Sequence, residues 1–169
     1  LAGYEFDKIF PGCRIIDIHE FLLENGIKLD GVTGTRYMYH DPCHTPIKTI
    51  DPVKLVNELM GSSNDGYKIA KNERCCGESG TFAVARPDIS TQVRFRKEEE
   101  IRKGAAKLRE IPVTAAGANG DRAAAGNGAA DVKVLTSCPS CLQGLSRYNE
   151  DAGVEADYIV VEMARHVLG

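Results

Sequence analysis

Several features are scarce or missing in this 169-residue sequence, and each absence argues against a class of protein. No apolar run approaches the ~18 residues that a membrane-spanning helix needs. Lysine and arginine number 21 against 24 acidic residues, giving a net charge of −3, so the basic excess of a phosphate-neutralising nucleic-acid binder is absent. Neither a G-x-G-x-x-G loop nor a P-loop occurs, so the sequence gives no basis for a nucleotide site.

The start of the chain also lacks common signals. It begins Leu1-Ala2-Gly3, without an initiator methionine, a basic leader or a signal-type apolar stretch. We therefore expect a piece of a longer polypeptide that resides in a reducing compartment. The composition, with 43% hydrophobic and 27% charged residues, is that of a globular domain that buries a core without disulfide bonds. Clustered cysteines in such a compartment indicate metal or redox chemistry more often than cross-links.

Predicted strands and helices alternate along the chain. Short β-type runs predict strands at 36–40, 67–70, 131–136 and 158–161. Caps, breakers and periodicity predict helices at 13–25, 51–60, 88–110 and 163–168. This alternation is typical of an α/β fold with a mostly parallel sheet of about four strands flanked by helices.

One segment departs from this pattern. Twelve of the sixteen residues in 115–130 are alanine or glycine, so the segment has little side chain to bury and much conformational entropy to lose. The four glycines weaken the alternative of an alanine-rich helix. We predict a flexible surface insertion at about 111–130.

Five of the six cysteines follow predicted strands. Cys43 follows the first strand, Cys75 and Cys76 the second, and Cys138 and Cys141 the third. The loops after parallel strands open on one edge of a sheet, where α/β domains place their ligands. The sequence therefore predicts that three distant segments bring five thiols to one place.

The spacing of these thiols favours a metal centre with several iron atoms. A disulfide between Cys75 and Cys76 is disfavoured, because adjacent Cα atoms lie ~3.8 Å apart, below the usual disulfide range of ~4.4–6.8 Å. Structural zinc takes four ligands, whereas five thiolates, two of them adjacent, suit an iron–sulfur cluster. Two alternatives stay open: a zinc site that uses four of the thiols, and a redox dithiol formed by Cys138 and Cys141.

The remaining cysteine and two histidines are predicted to lie outside the site. Cys13 begins a predicted helix and is interpreted as a small buried apolar residue. His19 and His166 fall in predicted helices and are expected to be surface groups.

Three other polar residues lie close to the cysteines in sequence. His40 and His44 flank Cys43 and are candidates to donate to sulfur or to relay protons; the alternative is ordinary loop packing. Glu78 follows the vicinal cysteines and is a candidate proton carrier, with a helix-capping role as the alternative.

Three segments together resemble a known family. The segments are Tyr39-His40-Asp41-Pro42-Cys43-His44, Arg74-Cys75-Cys76-Gly77-Glu78-Ser79-Gly80 and Ser137-Cys138-Pro139-Ser140-Cys141. They are similar to the cysteine-rich CCG domain that occurs in heterodisulfide reductases and in the iron–sulfur component of glycolate oxidases. The family has gaps in the thirties between its motifs. Here the first gap is 31 residues (44–74) and the second 61 (77–137), and the excess in the second coincides with the Ala/Gly-rich segment.

The resemblance implies a Rossmann-like α/β unit over about 36–169, with residues 1–35 as the tail of a preceding unit. Its implied ligands are Cys43, Cys75, Cys76, Cys138 and Cys141. They would hold a [4Fe–4S] cluster of the non-cubane kind, or zinc as in some relatives. His44 and Glu78 are the candidate proton relays.

The same resemblance implies an iron–sulfur oxidoreductase domain that is not catalytic alone. Its expected partners are a flavoprotein dehydrogenase domain or subunit for 2-hydroxy acids, which carries the flavin, and other iron–sulfur modules. The expected electron acceptor is a quinone or a disulfide. The expected location is the cytoplasm, with contact to the inner membrane only through partners. The alternative is a zinc-binding structural or docking module without a redox role.

Overall fold

A computed structural model describes residues 6–30, 32, 34–45, 47, 49–60, 68–78, 81–111 and 131–168. Its four-stranded sheet has the order β2-β1-β3-β4, and every neighbouring pair is parallel. The strands are β1 (Thr35–His40), β2 (Lys71–Asn72), β3 (Asp131–Thr136) and β4 (Glu155–Tyr158). The predicted α/β, Rossmann-like fold with a parallel sheet is confirmed.

Helices pack on both faces of this sheet. Within the described ranges they are α1 (Phe6–Ile9), α2 (Ile18–Glu24), α3 (Pro52–Leu59), α4 (Phe82–Ala85), α5 (Pro87–Arg109), α6 (Pro139–Leu145), α7 (Tyr148–Ala152) and α8 (Ile159–Leu168). Within the described residues, none of these helices has both the length and the apolar composition of a membrane span.

Side chains of β1 alternate between two buried cores. Tyr37 and Tyr39 belong to one core together with residues of α3 and α8. Met38 belongs to the other core, with residues of α5, α6 and α7. Since successive side chains of a strand point to opposite faces, a central strand covered by helices on both sides is buried along most of its length. β1 and β3 therefore fix the middle of a three-layer α/β/α arrangement.

The chain turns in opposite directions after the two central strands. It leaves β1 through α3 towards β2 on one side, and it leaves β3 through α6 and α7 towards β4 on the other. The carboxyl ends of β1 and β3 therefore flank a topological switch point. In open α/β sheets this crevice is where ligands bind.

Two strands lie at positions that differ from the sequence prediction. β2 is Lys71–Asn72, and residues 68–70 of the predicted strand form no regular element. β4 ends at Tyr158, and the apolar run from Ile159 begins α8 instead of continuing the strand. A short apolar run fits a strand or a buried helix equally well by its periodicity. The predicted insertion at about 111–130 lies outside the described residues from position 112 onward.

Helix α2 begins five residues later than predicted, because Asp17 caps it. The Asp17 carboxylate accepts a hydrogen bond from the His19 backbone N–H at 2.9 Å, and the Glu20 side chain reaches back to the Asp17 backbone N–H at 3.4 Å. This capping box satisfies two backbone donors that a helix start leaves unpaired. Cys13 consequently precedes the helix and is exposed, so its prediction as a buried residue at a helix start was wrong.

Replacing Asp17 with alanine is expected to lower the free energy of unfolding by about 1 kcal/mol, the usual loss for an N-cap side chain. Asp17→Asn keeps a capping oxygen and should cost less. Burial acts to raise the pKa of Asp17, but its hydrogen bonds with His19 outweigh burial and hold the pKa below its usual value. The difference between Asp17→Asn and the natural protein should therefore shrink as the pH falls through the lowered pKa. Urea unfolding measures both effects, and equal stability of all three proteins at pH 7 would refute the capping role.

Candidate metal centre

The cysteine-bearing loops leave the sheet at one level. In the strand register, His40 pairs with Asn72 on one side and with Thr136 on the other. Each of these three residues ends its strand. The loops that carry Cys43, the vicinal cysteines and the CxxC segment therefore start side by side at the carboxyl edge, beside the switch point.

All five predicted cysteines line a single cavity of about 170 Å³. The lining residues are Pro42, Cys43, His44, Cys75, Cys76, Cys138, Ser140 and Cys141. The structure thus brings together the three motif segments, although they span almost a hundred positions of the chain.

The cavity has a buried floor and an open rim. Cys76 and Cys141 are buried, with 2% and 5% of their surfaces exposed. Cys75 and Cys138 are partly exposed, and Cys43 and His44 at the rim are exposed. A group held by all five sulfurs would therefore contact protein on its inner side and be accessible on its outer side.

The two buried thiols interact directly. Their sulfur atoms lie 3.4 Å apart, far beyond the ~2.05 Å of a disulfide bond. The contact with Cys141 lowers the pKa of Cys76, which burial alone would raise, and His40 lowers it further. The contact with Cys76 and burial raise the pKa of Cys141. A lowered pKa favours the thiolate of Cys76, the form in which cysteine binds metals.

The rim thiol of Cys75 has a different environment. Burial raises its pKa, a hydrogen bond from the Gly77 backbone N–H opposes this, and the neighbouring thiols of Cys43 and Cys76 raise it again. The Gly77 nitrogen lies 3.4 Å from the Cys75 sulfur. Thiolates crowded in this way repel one another, and a bound cation or cationic cluster relieves that repulsion.

His40, which the sequence predicted as a candidate donor to sulfur or proton relay with loop packing as the alternative, lies at the floor of the site. It is the buried last residue of β1. One of its ring nitrogens and the sulfur atoms of Cys76 and Cys141 all lie within 4.8 Å of one another. Its position at the carboxyl end of a buried strand was the available signal. His40 therefore adds a nitrogen donor to the five sulfurs.

Helix α5 holds the loop that carries the vicinal cysteines. The Ser90 hydroxyl donates to the Gly77 carbonyl at 2.8 Å in a buried contact. The Glu100 carboxylate accepts from the backbone N–H groups of Glu73 at 2.8 Å and Arg74 at 3.3 Å. The loop is thus tied to one helix at both of its ends.

Two glycines allow close packing around this loop. Gly77 has a φ of 81°, and a Cβ there would also lie 2.9 Å from the Arg94 side chain. A Cβ on Gly144 of α6 would lie 2.5 Å from the Glu78 side chain and 3.4 Å from the Cys76 carbonyl oxygen. Each of these two positions therefore requires glycine, the residue that has no Cβ.

Glu78 is not exposed, and it does not cap a helix. It is buried, and its carboxylate pairs with Arg147 at 2.8 Å and with Arg94 at 3.6 Å. The next described helix, α4, begins only at Phe82 with Thr81 as its N-cap. Glu78 therefore joins the vicinal-cysteine loop to α5 and to the segment before α7.

The two histidines predicted at the surface have different positions. His19 is only 3% exposed, and its Nδ1 lies 2.6 Å from the Asp17 carboxylate, so the surface prediction was wrong for it. His166 is exposed, as predicted, and pairs with Glu162 at 3.2 Å.

Two family models match most of the chain. The model of the family described as "Cysteine-rich domain" (CCG) matches residues 37–146, well over half of the chain. A second model, described as a domain of unknown function (DUF3400), matches residues 146–169. No solved structure gives a significant match.

Among the curated proteins, the chain is similar to a subunit of the fumarate reductase (CoM/CoB) of Methanothermobacter marburgensis. The two are 34% identical over 96 residues, which cover 53% of this chain and 19% of that protein. The chain thus matches about a fifth of the length of this relative. With its vicinal cysteines, its CxxC segment and the family match across the sheet and cavity, the chain belongs to the cysteine-rich CCG domain family.

Proposed function

We propose that this chain is an iron–sulfur electron-transfer module of a larger reductase. Its ligands would be Cys43, Cys75, Cys76, Cys138 and Cys141. The observation that carries the proposal is the convergence of these five thiols on one cavity at the switch point of the sheet.

The donor set fits such a cluster. Five thiols exceed the four ligands of a closed zinc site, and two of them are adjacent in sequence. Adjacent thiolates suit a centre with several metal atoms, in which each sulfur binds its own iron. We propose a [4Fe–4S] cluster of the non-cubane kind for this cavity.

When bound, an iron–sulfur cluster supplies reversible one-electron storage. The protein binds and shields it. Burial of Cys76 and Cys141 keeps water from the floor of the site, and the Gly77 backbone N–H donates to the sulfur of Cys75. His44 at the exposed rim is the proposed proton relay, while Glu78 is held by two arginines and is better placed to fix the loop.

The role of the whole protein follows the resemblance. We propose a flavin on another domain or subunit of a 2-hydroxy-acid type oxidoreductase, further iron–sulfur modules, and a quinone or disulfide acceptor. The cysteine-rich unit would comprise residues 36–169 and follow a preceding unit that ends with residues 1–35. We place this assembly in the cytoplasm, with any membrane contact made through partners.

Elemental analysis of anaerobically purified and reconstituted protein tests the proposal. We expect iron and acid-labile sulfide together, with broad visible absorption near ~400 nm. Colourless protein with no sulfide after reconstitution under strict exclusion of oxygen would overturn it.

One observation favours a second candidate, a zinc-binding structural module. His40, Cys76 and Cys141 offer a buried nitrogen and two sulfurs within 4.8 Å of one another, and a further thiol would complete a tetrahedral site. In that case analysis should give one zinc per chain without sulfide. A chelator should then unfold the protein, because binding of structural zinc is coupled to folding.

A further inference from the structure

Helix α5 carries a lysine with no exposed surface. Lys97 is 0% exposed, which is rare for lysine unless its charge is paired. Its ammonium donates to the Asn72 side-chain oxygen at 2.9 Å and to the Glu100 carboxylate at 2.8 Å. The Glu100 side chain is 21% exposed, so this ion pair has its positive end inside the protein.

The positive end of the pair is hydrogen-bonded to the strand that lies next to His40. Asn72, which accepts from Lys97, pairs in the strand register with His40. The His40 ring in turn lies beside the buried sulfurs of Cys76 and Cys141. Burial lowers the pKa of Lys97, and the ion pair with Glu100 is the main interaction that opposes that shift. Lys97 is thus a buried basic group that is hydrogen-bonded to the strand beside His40.

We propose that Lys97 is a positioning residue that presents a fixed positive charge to the sulfur-bound centre and makes that centre easier to reduce. The inference rests on the proposed iron–sulfur function. An added electron makes the centre more negative, and a nearby buried cation stabilises the reduced state more than the oxidised one. None of the five cysteines needs to contact Lys97 for this effect, since screening is weak in a buried site.

If Lys97 had only a structural role, a substitution that keeps its hydrogen bond would leave the midpoint potential unchanged. Lys97 also joins the end of β2 to α5 through Asn72, and a glutamine could keep a side-chain donor there without the charge. Lys103, 70% exposed on the same helix, loses the same charge when substituted but lies in water. Substitutions at the two lysines therefore separate the two explanations.

The test compares the midpoint potentials of reconstituted Lys97→Met, Lys97→Gln and Lys103→Met with that of the natural protein. We expect both Lys97 variants to disfavour reduction about tenfold, a shift of ~59 mV to more negative potential for one electron, with unchanged iron and sulfide content. Lys103→Met should show no shift. An unshifted potential in Lys97→Met and Lys97→Gln, or an equal shift in Lys103→Met, would overturn the inference.

The iron and sulfide content separates the failure of this inference from that of the proposed function. If the natural protein takes up neither iron nor sulfide on reconstitution, the proposed function fails and the inference fails with it. If it takes up both and the two Lys97 variants keep its midpoint potential, only the inference fails.

Discussion

Cys75→Ser is expected to abolish the visible absorption of the reconstituted protein near ~400 nm, together with most of its iron and sulfide. Cys75 stands at the rim of the cavity and receives the Gly77 N–H at 3.4 Å. A serine hydroxyl in its place stays protonated and is a poor ligand for iron, so one corner of the centre would open to water.

Cys13→Ser is the matched control for this prediction. Cys13 is a free and exposed cysteine, and it is not among the residues that line the cavity. The same chemical change there should leave absorption, iron and sulfide unchanged. Loss of the absorption in both variants, or its retention in Cys75→Ser, would contradict the proposed ligand set.

The largest expected effect on stability comes from a buried carboxylate on α8. Glu162 is fully buried and accepts from the Tyr37 hydroxyl at 2.8 Å and the Lys133 ammonium at 2.9 Å. Glu162→Gln removes the charge but keeps the size, and it leaves the mostly buried Lys133 without its close anionic partner. We expect the free energy of unfolding to fall by about 3 kcal/mol, measured by urea unfolding at pH 7.

Glu155→Gln is the control, since Glu155 also pairs with Lys133, at 3.6 Å, but is 48% exposed. It should cost less than about 1 kcal/mol. Burial acts to raise the pKa of Glu162, but the hydrogen bonds from Lys133 and Tyr37 outweigh burial and lower it. The ionised carboxylate therefore stabilises the protein above its usual pKa, and that contribution is lost as the pH falls through the lowered value. Equal losses in the two variants, or a pH-independent difference, would contradict this account.

The sequence predicted the central strands well because their burial leaves a local pattern. The aromatic run that ends at His40 and the β-branched run of β3 are continuous enough to be recognised alone. β2 has only two residues, and its position is set by pairing with Tyr39 and His40. Such tertiary pairing leaves no periodicity in the strand itself.

For the site, the cysteines were identifiable and their surroundings were not. The spacing of the cysteines and the order of the strands were sufficient to predict that five thiols meet at one edge of the sheet. The buried position of His40 depends on the register of three strands, and that of Lys97 on how α5 packs beneath the loop. Both positions depend on contacts between residues that lie far apart in the sequence. Cys13 was misplaced because the cap at Asp17 decides where α2 begins. His19 is helical as predicted, but its ring is buried and contacts the Asp17 carboxylate.

The parallel sheet also determines when the proposed centre can be built. Its donors come from loops after three strands, and Cys43 and Cys141 lie almost a hundred residues apart. Contacts this distant form late in folding, because the entropy of closing long loops must be overcome first. During synthesis on the ribosome, the complete set of sulfurs can exist only after β3 and α6 have emerged. A metal centre that needs all five sulfurs can therefore bind only to a chain in which these distant loops have already been brought together.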